Sequence, residues 1–205
     1  MTSSYSAISL VFVTSFAIAS AEPNTCNRCW NIGSTECCNA AVVPCPTDKC
    51  MAIYEYCVVD GEIYQTISKR CGDEASCGIC FSVTTERGIT ARAATECGTG
   101  ANSNADLTYK MPCGDLGPPN GLSCPACYDN NSMDGCTPDG TVQCRAGETE
   151  CVKFRGLVQF ADASTKKISL QGCITGGGCN YGFAALPGAR PLDQRELSCS
   201  PATAS

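Results

Sequence analysis

Three pairs of cysteines are spaced so that their thiols could do chemistry. Two residues separate the members of each pair, the spacing found in zinc sites and thioredoxin-like redox centres. The pairs are Cys26/Cys29, Cys77/Cys80 and Cys124/Cys127. The chain has 20 cysteines among 205 residues, and an even count at that density is typical of a disulfide scaffold, so we interpret the pairs as structural disulfides.

Composition limits the function further. The chain contains no histidine, which excludes Ser-His-Asp and Cys-His nucleophiles and zinc sites that need an imidazole. Its 14 basic and 20 acidic residues give a net charge of −6, which argues against binding to nucleic acid. We therefore predict a protein that is not an enzyme and holds neither a cofactor nor a metal ion.

Two polar motifs lie in the second half. Asn130-Asn131-Ser132 is an acceptor sequence for N-glycosylation, so Asn130 is a predicted glycan site. Asp129, Asp134 and Asp139 follow at intervals of five. That spacing fits no compact calcium loop, so we favour a solvated acidic surface over a calcium site.

Aromatic residues form two groups that are candidates for contact with a partner. Tyr54, Tyr56 and Tyr64 form the first group, and Phe154 and Phe160 the second. Tyrosine is favoured in binding surfaces because it offers a large area at low entropic cost. The alternative is that members two residues apart, such as Tyr54 and Tyr56, pack one face of a sheet.

The first segment indicates the compartment. Residues 1–21 carry no charge, are apolar from Ile8 to Ile18, and end in Ala19-Ser20-Ala21. This pattern predicts a secretory signal peptide that is removed after Ala21. The last residues contain no hydrophobic tail of the kind that a GPI anchor needs. We expect a secreted, extracellular protein without a membrane anchor, in which disulfides form and persist.

The cysteine spacings repeat along the chain. The steps in the second half are 3, 9, 8, 7, 22, 6 and 20, for Cys124, Cys127, Cys136, Cys144, Cys151, Cys173, Cys179 and Cys199. The steps in the first half are 3, 9, 7, 5, 21, 6 and 20, for Cys26, Cys29, Cys38, Cys45, Cys50, Cys71, Cys77 and Cys97. The chain is therefore two copies of one module.

The modules are predicted to be all-β. Residues 22–116 form the first and residues 122–199 the second, joined by a Gly- and Pro-rich linker over 117–121 and followed by a flexible tail over 200–205. In the first module Asp60-Gly61 predicts a tight turn between strands Met51–Val59 and Glu62–Ser68. The matching strands of the second are Val152–Phe160 and Lys166–Leu170. So small a core needs covalent cross-links.

This cysteine pattern resembles the Ly6/uPAR three-finger domain, which has the fold of snake toxins. Two such modules in one secreted chain resemble the gamma-type phospholipase A2 inhibitors and the sodefrin precursor-like factors. The stretches Pro119–Pro125, Gly147–Val152 and Leu170–Ile174 are also similar to the inhibitor family. The resemblance implies two tandem, disulfide-rich three-finger domains.

The resemblance also implies a disulfide pairing. For the first module it gives Cys26–Cys50, Cys29–Cys38, Cys45–Cys71 and Cys77–Cys97. For the second it gives Cys124–Cys151, Cys127–Cys136, Cys144–Cys173 and Cys179–Cys199.

The sequence departs from this family in two ways. The closing Cys-Cys-x4-Cys-Asn is absent from both modules, which puts the asparagine clamp at the base of each module in doubt. Four cysteines of the first module have no counterpart, namely Cys37, Cys57, Cys80 and Cys113. They allow three pairings, of which we favour Cys57–Cys80 with Cys37–Cys113, and Cys37 is also an alternative to Cys38 as the partner of Cys29.

The resemblance implies a binding protein. We expect its partner to be a secreted or cell-surface protein, and by analogy a secreted phospholipase A2 that it inhibits. The alternative is a secreted pheromone read by a chemosensory receptor. Homo-oligomers are compatible with both.

Overall fold

The computed structural model describes residues 24–31, 33–85, 89–160, 162–180 and 189–205. The predicted signal peptide lies outside these ranges. Regular structure in the described part consists of β-strands and two short 3-10 turns, Glu74–Ser76 and Gly178–Asn180. None of the described residues belongs to a helix long and apolar enough to cross a membrane.

The first module forms three two-stranded fingers. Finger one pairs β1 with β2, finger two pairs β3 with β4, and finger three pairs β5 with β6. The strands are β1 (Asn24–Asn31), β2 (Ala41–Cys45), β3 (Lys49–Val59), β4 (Glu62–Cys71), β5 (Cys80–Thr84) and β6 (Thr90–Thr99). Asp60 and Gly61 join β3 to β4 with φ of 54° and 85°, the left-handed backbone of the tight turn predicted there.

The second module repeats fingers one and two, and its described residues contribute one strand, β11, at the position of β6. Finger one pairs β7 with β8 and finger two pairs β9 with β10, while β11 adds to β9. The strands are β7 (Pro119–Asp129), β8 (Gly140–Arg145), β9 (Glu148–Gln159), β10 (Thr165–Thr175), β11 (Arg190–Pro201) and β12 (Thr203–Ala204). The predicted all-β fold of two tandem, disulfide-rich three-finger modules is confirmed.

The strands of both modules join in one sheet. Strand β5 of the first module pairs with β10 of the second, with Val83 opposite Ile174 and Thr84 opposite Cys173. The sheet folds over a common core, in which Phe81 and Val83 contact the side chains of the second module. The members of this core are Cys57, Val59, Phe81, Val83, Ile89, Ala91, Ala93, Val152, Phe154, Val158, Phe160, Ile168, Leu170 and Ile174. Each module thus completes its apolar burial against the other.

A buried carboxylate lies where the modules meet. Glu148 is fully buried, and its Oε1 accepts hydrogen bonds from the hydroxyls of Ser82 at 2.9 Å and Thr84 at 2.8 Å. Its Oε2 accepts from the backbone N–H of Arg145 at 2.9 Å. A buried polar group is tolerated when it is hydrogen-bonded in this way, so Glu148 fixes β5 of the first module against the second.

Two segments are more ordered than predicted. Residues 119–121, expected in the linker, form the start of β7, because a proline is allowed at the first position of a strand and Asn120 donates hydrogen bonds to the carbonyls of Ala146 and Glu148. The expected flexible tail is also structured. Residues 200–201 end β11, and β12 pairs with Leu122 and Ser123.

Nine disulfides join 18 of the 20 cysteines, all of which lie in the described ranges. Seven of the eight pairings implied by the resemblance are present. They are Cys26–Cys50, Cys45–Cys71, Cys77–Cys97, Cys124–Cys151, Cys127–Cys136, Cys144–Cys173 and Cys179–Cys199.

Finger one of the first module differs from the expected pairing. Cys29 bonds to Cys37 instead of Cys38, with the two Cα atoms 5.8 Å apart. Consecutive side chains point in different directions, and here Cys37 packs against a cluster of Ala52, Tyr54 and Ile67 while Cys38 is exposed. The side chain that faces the sheet is therefore the one that reaches Cys29.

The favoured pairing of the remaining cysteines is wrong. Cys57 lies opposite Ala91 of β6, and Cys80 lies opposite Ala94. Residues three apart on a strand face opposite sides of the sheet, so these two thiols cannot meet. Cys80 instead bonds to Cys113, and Cys57 remains a free, fully buried thiol.

An asparagine clamp is present in the first module despite the missing motif. Asn104 is fully buried, and its Oδ1 accepts a hydrogen bond from the N–H of Asn27 at 3.0 Å. Its Nδ2 donates to the carbonyls of Asn27 at 3.0 Å, Met51 at 3.1 Å and Arg70 at 3.5 Å. One side chain thus ties together β1, β3 and β4, which carry fingers one and two.

Candidate functional site

Most of the predicted contact aromatics lie in the interior. Tyr54 is 3% exposed and Phe154 and Phe160 are each 1% exposed, so these three cannot contact a partner. Tyr56 and Tyr64 are half-buried. The ring of Tyr64 lies against that of Phe160, with centroids 4.8 Å apart, so its role is to join finger two of the first module to the second module.

Tyr54 belongs to a polar network on the opposite face of the first module. Its hydroxyl donates to Glu96 Oε2 at 2.9 Å, and Lys110 Nζ donates to the same oxygen at 2.6 Å. The hydrogen bonds from Lys110 and Tyr54 lower the pKa of Glu96. Burial raises the pKa of Tyr109, whose ring meets Tyr54 edge-on, to about 12. Both tyrosines are therefore neutral at pH 7, and their role is to stabilise the first module.

The tip of finger two in the first module docks on the second module through Asp60. Asp60 Oδ2 accepts hydrogen bonds from Lys166 Nζ at 2.9 Å, Asn130 Nδ2 at 3.1 Å and the Tyr128 hydroxyl at 3.3 Å. Burial alone would raise the pKa of Asp60, but these hydrogen bonds and the charge of Lys166 lower it. The hydrogen bond that Lys166 donates to Asp60 in turn raises the pKa of Lys166. Both groups are therefore ionised at neutral pH.

A polar cavity of about 590 Å³ opens beside this contact. Asp60 lines one side, and Tyr128, Asp129, Asn130 and Asp139 line the other. Its three carboxylates make it a negative recess between the modules. The negative charge of Asp60 is balanced by the positive charge of Lys166, with which it forms an ion pair.

Asp129, Asp134 and Asp139 do not come together as one group of ligands in the described part of the chain. Asp129 accepts a hydrogen bond from the N–H of Asn131, and Asp134 lies 3.7 Å from Arg195. In the described ranges, the side chains close enough together to hold an ion are two groups of cysteines, one in each module. Every cysteine of these groups is in a disulfide, so none offers the thiolate that binds a metal.

The predicted glycan site lies at the module junction. The side-chain nitrogen of Asn130 is the atom that would carry a sugar, and it donates to Asp60. Asn130 is half-buried. Glycosylation at Asn130 remains a prediction, and a sugar there would extend from the rim of the cavity.

The sequence patterns did not point to the most exposed aromatic residue of the described ranges. Trp30, the single tryptophan of the chain, is 61% exposed on β1. The guanidinium of Arg190, at the start of β11, lies over its ring with Cζ 5.5 Å from the centroid. Leu192, two residues further along β11, is 46% exposed. Tryptophan and arginine are the residues most enriched in binding hot spots, and here one comes from each module.

Comparison with known proteins supports the resemblance. No family model matches the sequence. The chain is 28% identical over 157 residues to phospholipase A2 inhibitor NAI from Notechis ater, and the match covers 75% of each chain. The chain resembles the phospholipase A2 inhibitors. The crystal structure of mouse TEX101 aligns with 89% of this chain and 98% of its own, at 17% identity and a TM-score of 0.34.

Proposed function

We propose that the protein acts outside the cell as a binding protein that inhibits a secreted phospholipase A2. The similarity to phospholipase A2 inhibitor NAI over 157 residues carries this proposal. An extracellular location is supported by the nine disulfides, because such bonds persist in oxidising compartments.

The contact surface that we propose is centred on Trp30 and Arg190. Their exposure, their stacking and their position on both modules support this choice. Removing a hot-spot residue costs about 2 kcal/mol or more of binding free energy. That corresponds to a loss of affinity of roughly 30-fold.

The test is the hydrolysis of phospholipid vesicles by purified secreted phospholipases of several types, with increasing amounts of this protein. We expect inhibition of at least one type, and a weakening of roughly 30-fold for Trp30→Ala. Ile63→Ala is the matched control because Ile63 is equally exposed, at 61%, but lies on finger two. Sedimentation with vesicles alone excludes inhibition through capture of the substrate.

If a micromolar excess of this protein inhibits none of the phospholipase types, the proposed function is overturned. Equal inhibition by Trp30→Ala and wild type would overturn only the proposed surface. The pheromone alternative predicts expression confined to skin or courtship glands, and remains a separate prediction.

A further inference from the structure

Besides Cys26 and Cys45, which are bonded to finger two, finger one of the first module contains three cysteines for one disulfide. Cys29 on β1 bonds to Cys37, and the adjacent Cys38 is an exposed free thiol. The Sγ atom of Cys38 lies 3.7 Å from Glu36 Oε2, on the solvent side of the loop. A free thiol is therefore held one residue away from a disulfide that it could enter.

The internal repeat contains a bridge with the spacing of the second pairing. The equivalent bridge of the second module, Cys127–Cys136, spans nine residues. Cys29 and Cys38 are also nine residues apart, whereas the observed Cys29–Cys37 bridge spans eight. The entropy of loop closure depends on the logarithm of loop length, so loops of eight and nine residues cost nearly the same.

We propose that finger one of the first module carries an exchangeable disulfide, with Cys37 and Cys38 alternating as the partner of Cys29. The Cys38 thiolate attacks Sγ of Cys29, the Cys29–Cys38 bond forms as the Cys29–Cys37 bond breaks, and Cys37 leaves as a thiolate. The proton lost by Cys38 goes to water and Cys37 takes one up. The number of disulfides is unchanged, so no oxidant or reductant is needed.

The exchange changes the structure of the fingertip. Cys37 packs against Tyr54 and Ile67 in the observed pairing, and this contact is lost when Cys38 takes its place. The same loop is fixed to β4 by hydrogen bonds from Gly33 N–H to Thr66 Oγ1 at 2.8 Å and from Ile67 N–H to the Ser34 carbonyl at 3.0 Å. A shift of one residue in the bridge moves this loop relative to β4.

The test uses two alkylating reagents of different mass on the wild-type protein. Free thiols are labelled with the first reagent, the protein is then unfolded and reduced, and all remaining thiols are labelled with the second. Fragment ions that separate the adjacent residues show which of them carried the first label. We expect each of Cys37 and Cys38 to take at least about a tenth of it, since the two loops have nearly equal closure costs. The bridge Cys127–Cys136 has no adjacent thiol and should carry none.

Two variants complete the test. Cys37→Ser should form the Cys29–Cys38 bridge, and Cys38→Ser should keep Cys29–Cys37, both without a free thiol in finger one. First label confined to Cys38 in the wild type, even after incubation for hours at pH 8, would overturn the proposal. So would a free thiol at Cys29 in Cys37→Ser. The wild-type labelling decides the question by itself if either variant fails to fold.

Discussion

Replacement of Asn104 tests whether one buried amide fixes the base of the first module. Asn104→Ala removes the acceptor of the Asn27 N–H and the donor to the Asn27 and Met51 carbonyls. Asn104→Asp keeps the side-chain volume and one acceptor oxygen. It replaces the amide nitrogen by an oxygen that faces those two carbonyl oxygens.

The expected cost follows from the groups left without partners. A buried donor or acceptor that loses its only partner costs about 1–3 kcal/mol. Asn104→Ala affects one N–H and three carbonyls, of which that of Arg70 is the most distant at 3.5 Å, so we expect a loss of about 3–5 kcal/mol in the free energy of unfolding. Asn104→Asp should cost at least as much at pH 7, because it buries a charge against two carbonyl oxygens. Its deficit should shrink on acidification, since the neutral acid regains a hydrogen to donate.

The assay is unfolding in guanidinium chloride with the disulfides intact. Fluorescence of Trp30, on the strand that Asn104 holds, and far-UV circular dichroism should both report a midpoint lowered by about 1 M for Asn104→Ala. Ser103→Ala is the control, because no hydrogen-bond partner of the Ser103 hydroxyl is found among the described residues. A cost below 1 kcal/mol for Asn104→Ala, or wild-type stability of Asn104→Asp at pH 7, would refute the clamp.

Three further outcomes are expected. Glu148→Gln should lower the free energy of unfolding by about 1–3 kcal/mol in thermal denaturation, because the amide has one acceptor oxygen for three hydrogen-bond donors. Unchanged stability would contradict the role of Glu148 in joining the two modules. The pKa of Asp60 is lowered from 3.8, so its contact with Lys166 stabilises the fold above that pH and is lost as pH falls through the lower folded value. Asp60→Asn should therefore lose less stability than the wild type between pH 5 and pH 2. An acid unfolding profile identical to that of the wild type would argue against a stabilising contact between Asp60 and Lys166. Native alkylation should modify one thiol per molecule, shared between Cys38 and Cys37, and alkylation in denaturant a second, Cys57, because Cys57 is fully buried and burial raises the pKa of its thiol; a protein without free thiols would contradict both assignments.

The repeat of cysteine spacings was enough to predict two copies of one module, and the resemblance to the three-finger domain implied the fold and most of the bridges. The hairpin at Asp60-Gly61 also follows from local turn chemistry. These features depend on residues close in sequence or on a pattern present twice. The choice between Cys37 and Cys38 does not, because it is made by which of two adjacent side chains faces the sheet.

The candidate site was harder to predict because each module buries side chains of the other in their shared core. Alternation along a strand indicates that Phe154 and Phe160 share a face, but not that the first module covers it. The stacking of Trp30 with Arg190 likewise joins residues far apart in the chain. Asn104 escaped prediction because Gly98 and Ser103 replace the second and third cysteines of the family's closing motif, although Asn104 lies seven residues after Cys97, where Cys-Cys-x4-Cys-Asn has its asparagine.

The shared core sets an order of events during synthesis. Val83 pairs with Ile174, which is synthesised 91 residues later. At a ribosomal rate of about 5–20 residues per second, the synthesis of these residues takes roughly 5–18 s. During that interval the nascent first module exposes the edge of β5 and the Cys57 thiol among cysteines that are still being oxidised. Packing of the second module on the first is therefore the step that buries Cys57 and removes it from thiol exchange. A chain that stalls before it is completed presents an open strand edge and an accessible Cys57 thiol.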